Sequence, residues 1–233
     1  MITIDKIYCL VMDNEKVNNV NNQLSSVKEF SNYFLDYDYP SPLFDKMIED
    51  LSSKSEYAKK LPPQKLRCTF HFYRVMKDAL LHGYKKIAIF EDDVAFIKDK
   101  EKLSEMINAI PDMDIVLLDS CCEDYYFREY SLSKGIQIND YFIEYVGLSY
   151  SNVGIILSDK AMIYLTKNME NMFETMDGYL TPQRIPGVSQ ETIDEFNALK
   201  KAIAWPSLCI QNHDNREKTK SLYSHLKIRD YDL

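Results

Sequence analysis

Long apolar runs are absent from this sequence; none approaches the length of a membrane span, so we expect no transmembrane helix. The N-terminus also lacks a basic segment followed by a long apolar one, so no secretory signal is visible. Positive charge is in deficit, because 28 basic residues face 36 acidic ones and the formal net charge is −8. Such a surface repels a phosphate backbone, so we expect no nucleic-acid partner. These absences favour a cytoplasmic location and leave peripheral association with the inner face of a membrane open.

Cysteine is too scarce and too irregularly placed for a disulfide framework or a zinc ribbon. The five cysteines are odd in number, and two of them, Cys121 and Cys122, are adjacent, which rarely allows a good bridge. We therefore expect reduced thiols, most of them acting as small core hydrophobes, in a reducing compartment.

The spacing of apolar residues predicts strands that alternate with helices. Short apolar runs predict strands at 6–12, 86–90, 114–119, 136–147, 149–157 and 207–211. Helical spacing predicts helices at 17–34, 43–61, 63–82, 99–110, 158–171 and 189–203, and two prolines predict a loop at 36–42. This alternation indicates an α/β fold with a mainly parallel sheet covered by helices on both faces. Hydrophobic residues make up 45% of the chain, enough for one domain over 1–215, followed by a charged tail or flap at 216–233.

Three consecutive carboxylates, Glu91, Asp92 and Asp93, follow the apolar strand that ends at Phe90. They cannot all enter a core, because an unpaired buried carboxylate is very costly, so they must meet a cation, hydrogen-bond donors or water. Ligands bind beyond the carboxyl ends of parallel strands, and Asp13 and Asp119 follow two other predicted strands at that edge.

Oxygen donors at a strand end suit a hard divalent ion that also binds phosphate. In an extended chain Glu91 and Asp93 point to the same side, so the two could hold one Mg²⁺ or Mn²⁺. The alternative is a strand end that meets solvent, with an acid capping the next helix.

Two other families with acids at strand ends fit the spacing less well. A response-regulator receiver needs two helices and a strand between its acidic pair and its later aspartate, whereas only one helix fits between Asp93 and Asp119. A haloacid-dehalogenase-like phosphatase needs a nucleophilic first aspartate, and Glu91 stands at that position.

The order of several segments resembles the family 25 glycosyltransferases, which include bacterial lipooligosaccharide galactosyltransferases and the related collagen galactosyltransferases. A helix carrying His71 precedes the strand that ends in Glu-Asp-Asp-Val, and further similar segments follow in order at 113–118, 149–161, 176–177 and 205–211. The chain departs from the family where Gly-Cys would precede the helix; Cys68 matches that cysteine only if one residue is skipped. The resemblance implies a GT-A-like, Rossmann-like fold with an Asp-x-Asp-type metal motif.

On the matching residues, the resemblance also implies a role for each candidate side chain. Glu91 and Asp93, with His213 in the polar turn after the last strand, would hold the metal ion, and imidazole suits Mn²⁺ better than Mg²⁺. Asp177 would take the proton of the acceptor hydroxyl in an inverting transfer. The residues that would contact the nucleotide sugar are Asp13, Asp92, Tyr150, Ser151 and Asn152.

Ordinary structural explanations stay open for several of these residues. Asp177 precedes a glycine, as turn aspartates commonly do, and His213 could be a surface residue. For His71 the pattern favours a buried structural role. The basic residues that could neutralise a diphosphate, or simply be solvated, are Lys200, Lys201, Arg216, Lys218 and Lys220.

Together these patterns favour a metal-dependent glycosyltransferase. It would transfer a sugar, galactose being one candidate, from a UDP-sugar to a cell-surface glycan or a lipid-linked acceptor, with Mn²⁺ or Mg²⁺ as cofactor. A protein of the same fold that binds a glycan or a partner without catalysis stays open, and so does a metal-dependent phosphate hydrolase.

Overall fold

A computed structural model describes residues 2–11, 16–30, 35–38, 46, 48–50, 53, 58–61, 63–119, 136–144, 153–171, 175–185, 187–205 and 207–211. The strands are β1 (Lys6–Leu10), β2 (Leu35–Asp38), β3 (Lys86–Glu91), β4 (Val94–Phe96), β5 (Ile115–Leu117), β6 (Gln137–Asn139), β7 (Phe142–Glu144), β8 (Gly154–Ser158), β9 (Lys201–Ala204) and β10 (Cys209–Gln211). The helices are α1 (Val17–Ser25), α2 (Pro63–Leu81), α3 (Lys100–Asn108), α4 (Asp159–Asn171), α5 (Met176–Tyr179) and α6 (Gln190–Ala198), with 3₁₀ turns at Ala58–Lys60 and Pro182–Arg184.

The larger sheet has the strand order β2-β1-β3-β8-β5-β9-β7-β6. β1 pairs in parallel with β2 and β3, and β5 pairs in parallel with β9. β8 runs antiparallel to both β3 and β5, and β7 runs antiparallel to β9 and β6. The predicted α/β fold is confirmed, and the sheet itself is mixed. Because β8 is antiparallel to both β3 and β5, these two strands run in the same direction. Their parallel partners β1, β2 and β9 run in that direction too.

Helices cover both faces of this sheet and form two cores with it. Alternation along β3 places Ile87 and Ile89 in one core and Ala88 and Phe90 in the other. The first core also contains residues of α2, α4, α5 and α6, and the second contains residues of α1 and α3. Each large apolar side chain that is fully buried stabilises the fold by roughly 1.5–3 kcal/mol, so the strands are held firmly from both sides.

Helix ends follow the capping signals in the sequence. Asp99 caps α3, accepting a hydrogen bond from Lys102 N at 3.0 Å, and Ser189 caps α6, accepting one from Thr192 N at 3.2 Å. Gly83, just after α2, has a φ of 74°, a conformation that glycine adopts without strain. Caps of this kind stabilise a helix by about 1 kcal/mol each.

Several predicted segments differ from the structure. β2 includes residues 36–38 of the loop predicted at 36–42, and the helix predicted over 17–34 ends at Ser25. The helix predicted over 189–203 ends at Ala198, and Lys201–Ala204 forms β9. The strand predicted at 136–147 includes two short strands, β6 and β7, that pair with each other. In the cases of β2, β9 and the pair β6 and β7, pairing with a neighbouring strand decides the conformation, and the local sequence carries little information about such pairing.

Lys201, the first residue of β9, has a structural role. Its ammonium donates hydrogen bonds to Phe196 O at 2.8 Å and Leu199 O at 2.6 Å, at the C-terminal end of α6. Burial lowers the pKa of Lys201, against the opposing charges of Glu144 and Asp114. This side chain therefore caps a helix, at the end of β9 away from the carboxyl ends of the strands.

The sequence also predicts a domain boundary and the absence of a transmembrane helix. The boundary between a domain at 1–215 and a tail at 216–233 lies outside the described residues and stays a prediction. Among the described helices, none has the length and apolar character needed to cross a membrane.

Gly154, the first residue of β8, lies between two buried side chains. A Cβ at this position would be 2.9 Å from Cys209 Sγ and 3.1 Å from Phe90 Cε1. Both neighbours are fully buried, so neither can move aside without disturbing other packed groups. Glycine at this position therefore allows β10 to approach the larger sheet.

We expect Gly154→Ala to lower the free energy of unfolding by about 1–3 kcal/mol, because added volume in a well-packed core costs about that much. In a Cys209→Ala background the closest contact is gone, so the same substitution should cost less. Urea unfolding of the four proteins in this double-mutant cycle measures both costs. Equal costs in the two backgrounds would contradict the contact.

Candidate functional site

Two strands of the larger sheet, β3 and β5, lead into acidic residues at the same edge. The start of β8 lies between them, since Glu91 N donates to Val153 O at 2.9 Å and Leu118 N donates to Gly154 O at 2.9 Å. Asp119 directly follows Leu118 in the chain. Among the described residues, the carboxylates after β3 and after β5 therefore lie at the same edge of the sheet, as the sequence predicts.

The backbone turns where the three consecutive acids lie. β3 ends at Glu91, Asp92 and Asp93 form a turn, and β4 begins at Val94. β4 pairs antiparallel with β10, with Val94 opposite Gln211. The expected common direction of Glu91 and Asp93 assumed an extended chain through Asp93. Their relative placement is instead set by this turn.

Most of the carboxylates at this edge are removed from solvent. Asp92 is 3% exposed, Asp93 8% and Asp119 2%, whereas Glu91 is half-buried. Cys68 of α2 donates a hydrogen bond from Sγ to Glu91 Oε1 at 3.2 Å. Burial of several carboxylates close together is electrostatically unfavourable, so the site favours groups that bring positive charge or donate hydrogen bonds.

The pKa of the Cys9 thiol, on the neighbouring strand β1, is affected by the charges of these carboxylates. Burial raises the pKa of Cys9, and the charges of Asp92, Asp93 and Glu91 raise it further. A thiolate here would face three carboxylates at once, so Cys9 stays protonated. The same field would attract a cation placed at this edge of the sheet.

The charge of Asp119, which follows β5, affects a second buried thiol, that of Cys209 on β10. Leu118 O accepts a hydrogen bond from Leu208 N at 2.8 Å, which holds the segment before β10 against the end of β5. Burial raises the pKa of Cys209 well above its usual value, and the charge of Asp119 adds to the shift. Asp119 therefore adds a buried negative charge at the edge of the sheet where β3 and β5 end.

The helix that carries Asp177 is fixed to α2 close to Glu91. Thr69 Oγ1 accepts a hydrogen bond from Met176 N at 3.0 Å, and Thr175 Oγ1 accepts one from Gly178 N at 3.3 Å. Thr69 is 1% exposed and directly follows Cys68 in the chain. The backbone of Asp177 lies in the one-turn helix α5, where a loop was predicted; its side chain is outside the described part.

The other predicted site residues divide into two groups. His71 is fully buried, as expected for a structural histidine. Five predicted residues lie outside the described part of the chain: Asp13, Tyr150, Ser151, Asn152 and His213. Their roles stay predictions. The sequence did not single out Cys68 or Thr69 as site residues, and only the contacts of α2 reveal them.

The described acids do not by themselves complete a metal site. Among the described residues, no three histidine, cysteine, aspartate or glutamate side chains are arranged to hold a metal ion. Hard divalent ions require several oxygen ligands. A metal bound through Glu91 or Asp93 would therefore need further oxygen or nitrogen ligands, which water, a diphosphate or other residues such as Asp13 and His213 could supply.

Comparison with known proteins gives weak structural likenesses. No family model and no curated protein matches this chain. The crystal structure of a glycosyltransferase involved in the glycosylation of the major capsid of PBCV-1 is similar over 94% of this chain and 99% of that one, at 9% identity and a TM-score of 0.44. A mannose-1-phosphate geranyltransferase from Thermus thermophilus is similar over 88% of this chain and 74% of that one, at 9% identity and a TM-score of 0.34. Likenesses this distant assign neither a family nor an activity.

The thiols near the site should differ in reactivity. We expect iodoacetamide to modify Cys68 at least about tenfold faster than Cys9 or Cys209, because burial and the nearby carboxylates disfavour the thiolate of the latter two. Mass spectrometry of peptides from the folded protein separates these sites. Modification of Cys9 as fast as Cys68 would contradict the burial of Cys9 beside the carboxylates, and a urea-unfolded sample serves as the control for intrinsic reactivity.

Proposed function

We propose that this protein is a metal-dependent glycosyltransferase that uses a UDP-sugar. The observation that carries the proposal is the gathering of Glu91, Asp92, Asp93 and Asp119 at the carboxyl edge of the sheet, where ligands of α/β proteins bind. Three of these acids act together on the thiol of Cys9. Such a region favours a divalent ion that also binds a diphosphate, and the resemblance to family 25 glycosyltransferases supports a nucleotide sugar as its source.

The metal ion, Mn²⁺ or Mg²⁺, would be held by Glu91 and Asp93 with His213, and would stabilise negative charge on the leaving diphosphate. Asp92 would orient hydroxyls of the ribose or the sugar. Asp177 would accept the proton of the acceptor hydroxyl as its oxygen attacks the anomeric carbon from the side opposite the leaving diphosphate, and this single displacement would invert the anomeric carbon. The attachment of α5 to α2 supports this role, since it brings the backbone of Asp177 to the part of the fold where Glu91 lies.

Galactose is the sugar we propose to test first, following the family that the sequence resembles. A cell-surface glycan or a lipid-linked glycan is the proposed acceptor, and the cytoplasmic face of the membrane is the proposed location. The acidic composition of the chain supports the absence of a nucleic-acid partner.

The first test concerns the metal and the diphosphate. We expect Asp93→Ala to weaken Mn²⁺-dependent binding of UDP by about 10- to 100-fold, because contacts with charged groups contribute roughly 1.5–3 kcal/mol. Isothermal titration calorimetry measures the affinity, and thermal unfolding checks that the fold is retained. Asp112→Ala is the matched control, since this exposed acid pairs with Lys86 and lies before β5, at the opposite edge of the sheet. Equal UDP affinity in Asp93→Ala and the wild type would overturn the metal assignment.

The second test concerns the base. We expect Asp177→Asn to slow the hydrolysis of UDP-galactose to UDP and galactose, in which water takes the place of the acceptor hydroxyl, by about 10²- to 10⁴-fold while the affinity for UDP stays unchanged, because an amide cannot accept the proton. A coupled assay for UDP, with Mn²⁺ present, measures the initial rate. Loss of UDP affinity in this variant would argue against the role of base.

The same measurements separate the alternatives. Binding of a nucleotide sugar or a glycan without turnover would favour the non-catalytic protein. Phosphatase activity that persists without any sugar nucleotide would favour the phosphate hydrolase. A thermal-shift series of nucleotide sugars, with and without Mn²⁺, identifies the donor because a ligand of the native state raises its stability.

A further inference from the structure

Two consecutive residues of α2, Cys68 and Thr69, contact two separate parts of the candidate site. Cys68 Sγ donates to Glu91 Oε1 at 3.2 Å, at the carboxyl end of β3. Thr69 Oγ1 accepts from Met176 N at 3.0 Å, at the first residue of α5. The residue after Met176 is Asp177. A single dipeptide therefore lies between the end of the acidic strand and the helix proposed to carry the base.

The helix α5 depends on contacts of this kind because it has only one turn. An isolated helix of four residues is not stable in water, and its first amide groups have no partners within the helix. Thr69 satisfies the amide of Met176, and Thr175 satisfies that of Gly178. The position of α5 is therefore set partly by Thr69.

The helix α2 is a firm support for both contacts. Its residues Phe72, Met76 and Ala79 are fully buried against the sheet. Thr69 itself is buried, and its hydroxyl also donates to Lys65 O at 3.1 Å within the helix. This second bond orients the hydroxyl, so that its lone pair is directed towards the amide of Met176.

We propose that Cys68 and Thr69 are positioning residues that set the spacing between Glu91 and the helix that carries Asp177. The thiol orients the carboxylate of Glu91, and the hydroxyl holds α5. Neither side chain reacts with substrate. The inference rests on the proposed function for its catalytic meaning, whereas the positioning itself can be measured without any substrate.

The experiment uses two pairs of variants of the full chain. Cys68→Ala removes the donor to Glu91, and Cys68→Ser keeps one. Thr69→Val keeps the branched shape of the side chain and removes the acceptor for Met176 N, whereas Thr69→Ser keeps the acceptor. The serine variants are the matched controls, because a merely structural loss at these positions would not be rescued by restoring a hydroxyl.

Hydrogen exchange tests the positioning of α5 directly. The amides of Tyr179 and Leu180 donate to Thr175 O and Met176 O at 3.2 Å each, so their exchange reports opening of this helix. We expect about tenfold faster exchange at both amides in Thr69→Val, and near wild-type exchange in Thr69→Ser. Equal protection of these amides in the two variants would overturn the role of Thr69.

Ligand binding and turnover test the consequences. We expect Cys68→Ala to weaken Mn²⁺-dependent UDP binding about threefold to tenfold, with most of the affinity restored in Cys68→Ser, since a thiol is a weaker donor than a hydroxyl. Thr69→Val should keep the UDP affinity and release UDP from UDP-galactose more slowly, and Thr69→Ser should restore the rate. Unchanged UDP affinity in Cys68→Ala would overturn the role of Cys68, and an unchanged rate in Thr69→Val would overturn that of Thr69.

Failure of the proposed function gives a different result. If the wild-type protein binds neither UDP nor UDP-galactose with Mn²⁺, the glycosyltransferase proposal fails. The exchange of Tyr179 and Leu180 in the Thr69 variants still decides whether α2 holds α5. Rapid exchange in Thr69→Val alone would then support the positioning of this helix in a protein of another activity.

Discussion

Carboxylates that lie close together away from water repel one another, and this constraint underlies the candidate site. Asp92, Asp93 and Asp119 are buried at one edge of the larger sheet, with Glu91 beside them. The charges of Asp92, Asp93 and Glu91 extend to the thiol of Cys9 on the next strand. A fold tolerates such a concentration of charge only where surrounding groups, or a ligand, offset it. The two cores on either side of the sheet supply the rigidity that keeps these side chains together.

Acidic residues at the opposite edge of the sheet take part in ion pairs and hydrogen bonds. Near that edge Lys86 pairs with Asp112, and Lys85 pairs with Asp159 at 2.8 Å. Asp114 accepts hydrogen bonds from Ser158 Oγ at 2.8 Å and from Lys200 N at 3.0 Å, which ties together the ends of three strands. Acids at this edge are used for structure.

Sequence patterns predicted the chemical character of the site better than its geometry. The apolar run followed by Glu91, Asp92 and Asp93 was sufficient to predict a strand end rich in carboxylates, and alternation of elements placed Asp119 at the same edge. The turn at Asp92 and Asp93 was not predictable, because it depends on the pairing of β4 with β10, more than a hundred residues later in the chain. The contacts of Cys68 and Thr69 were not predictable for the same reason, since their partners lie on β3 and α5.

By itself the sequence determined the α/β class, the caps at Asp99 and Ser189, and the grouping of acids after two strands. These features follow from local periodicity and from the chemistry of single residues, which do not depend on contacts with distant segments. Only the tertiary structure decided that β8 runs antiparallel between β3 and β5, that Lys201–Ala204 is a strand, and that α2 connects Glu91 to the helix of Asp177. Those features depend on pairings between segments that are distant in the chain. Such a pairing stabilises the fold only when both segments are packed against a common core.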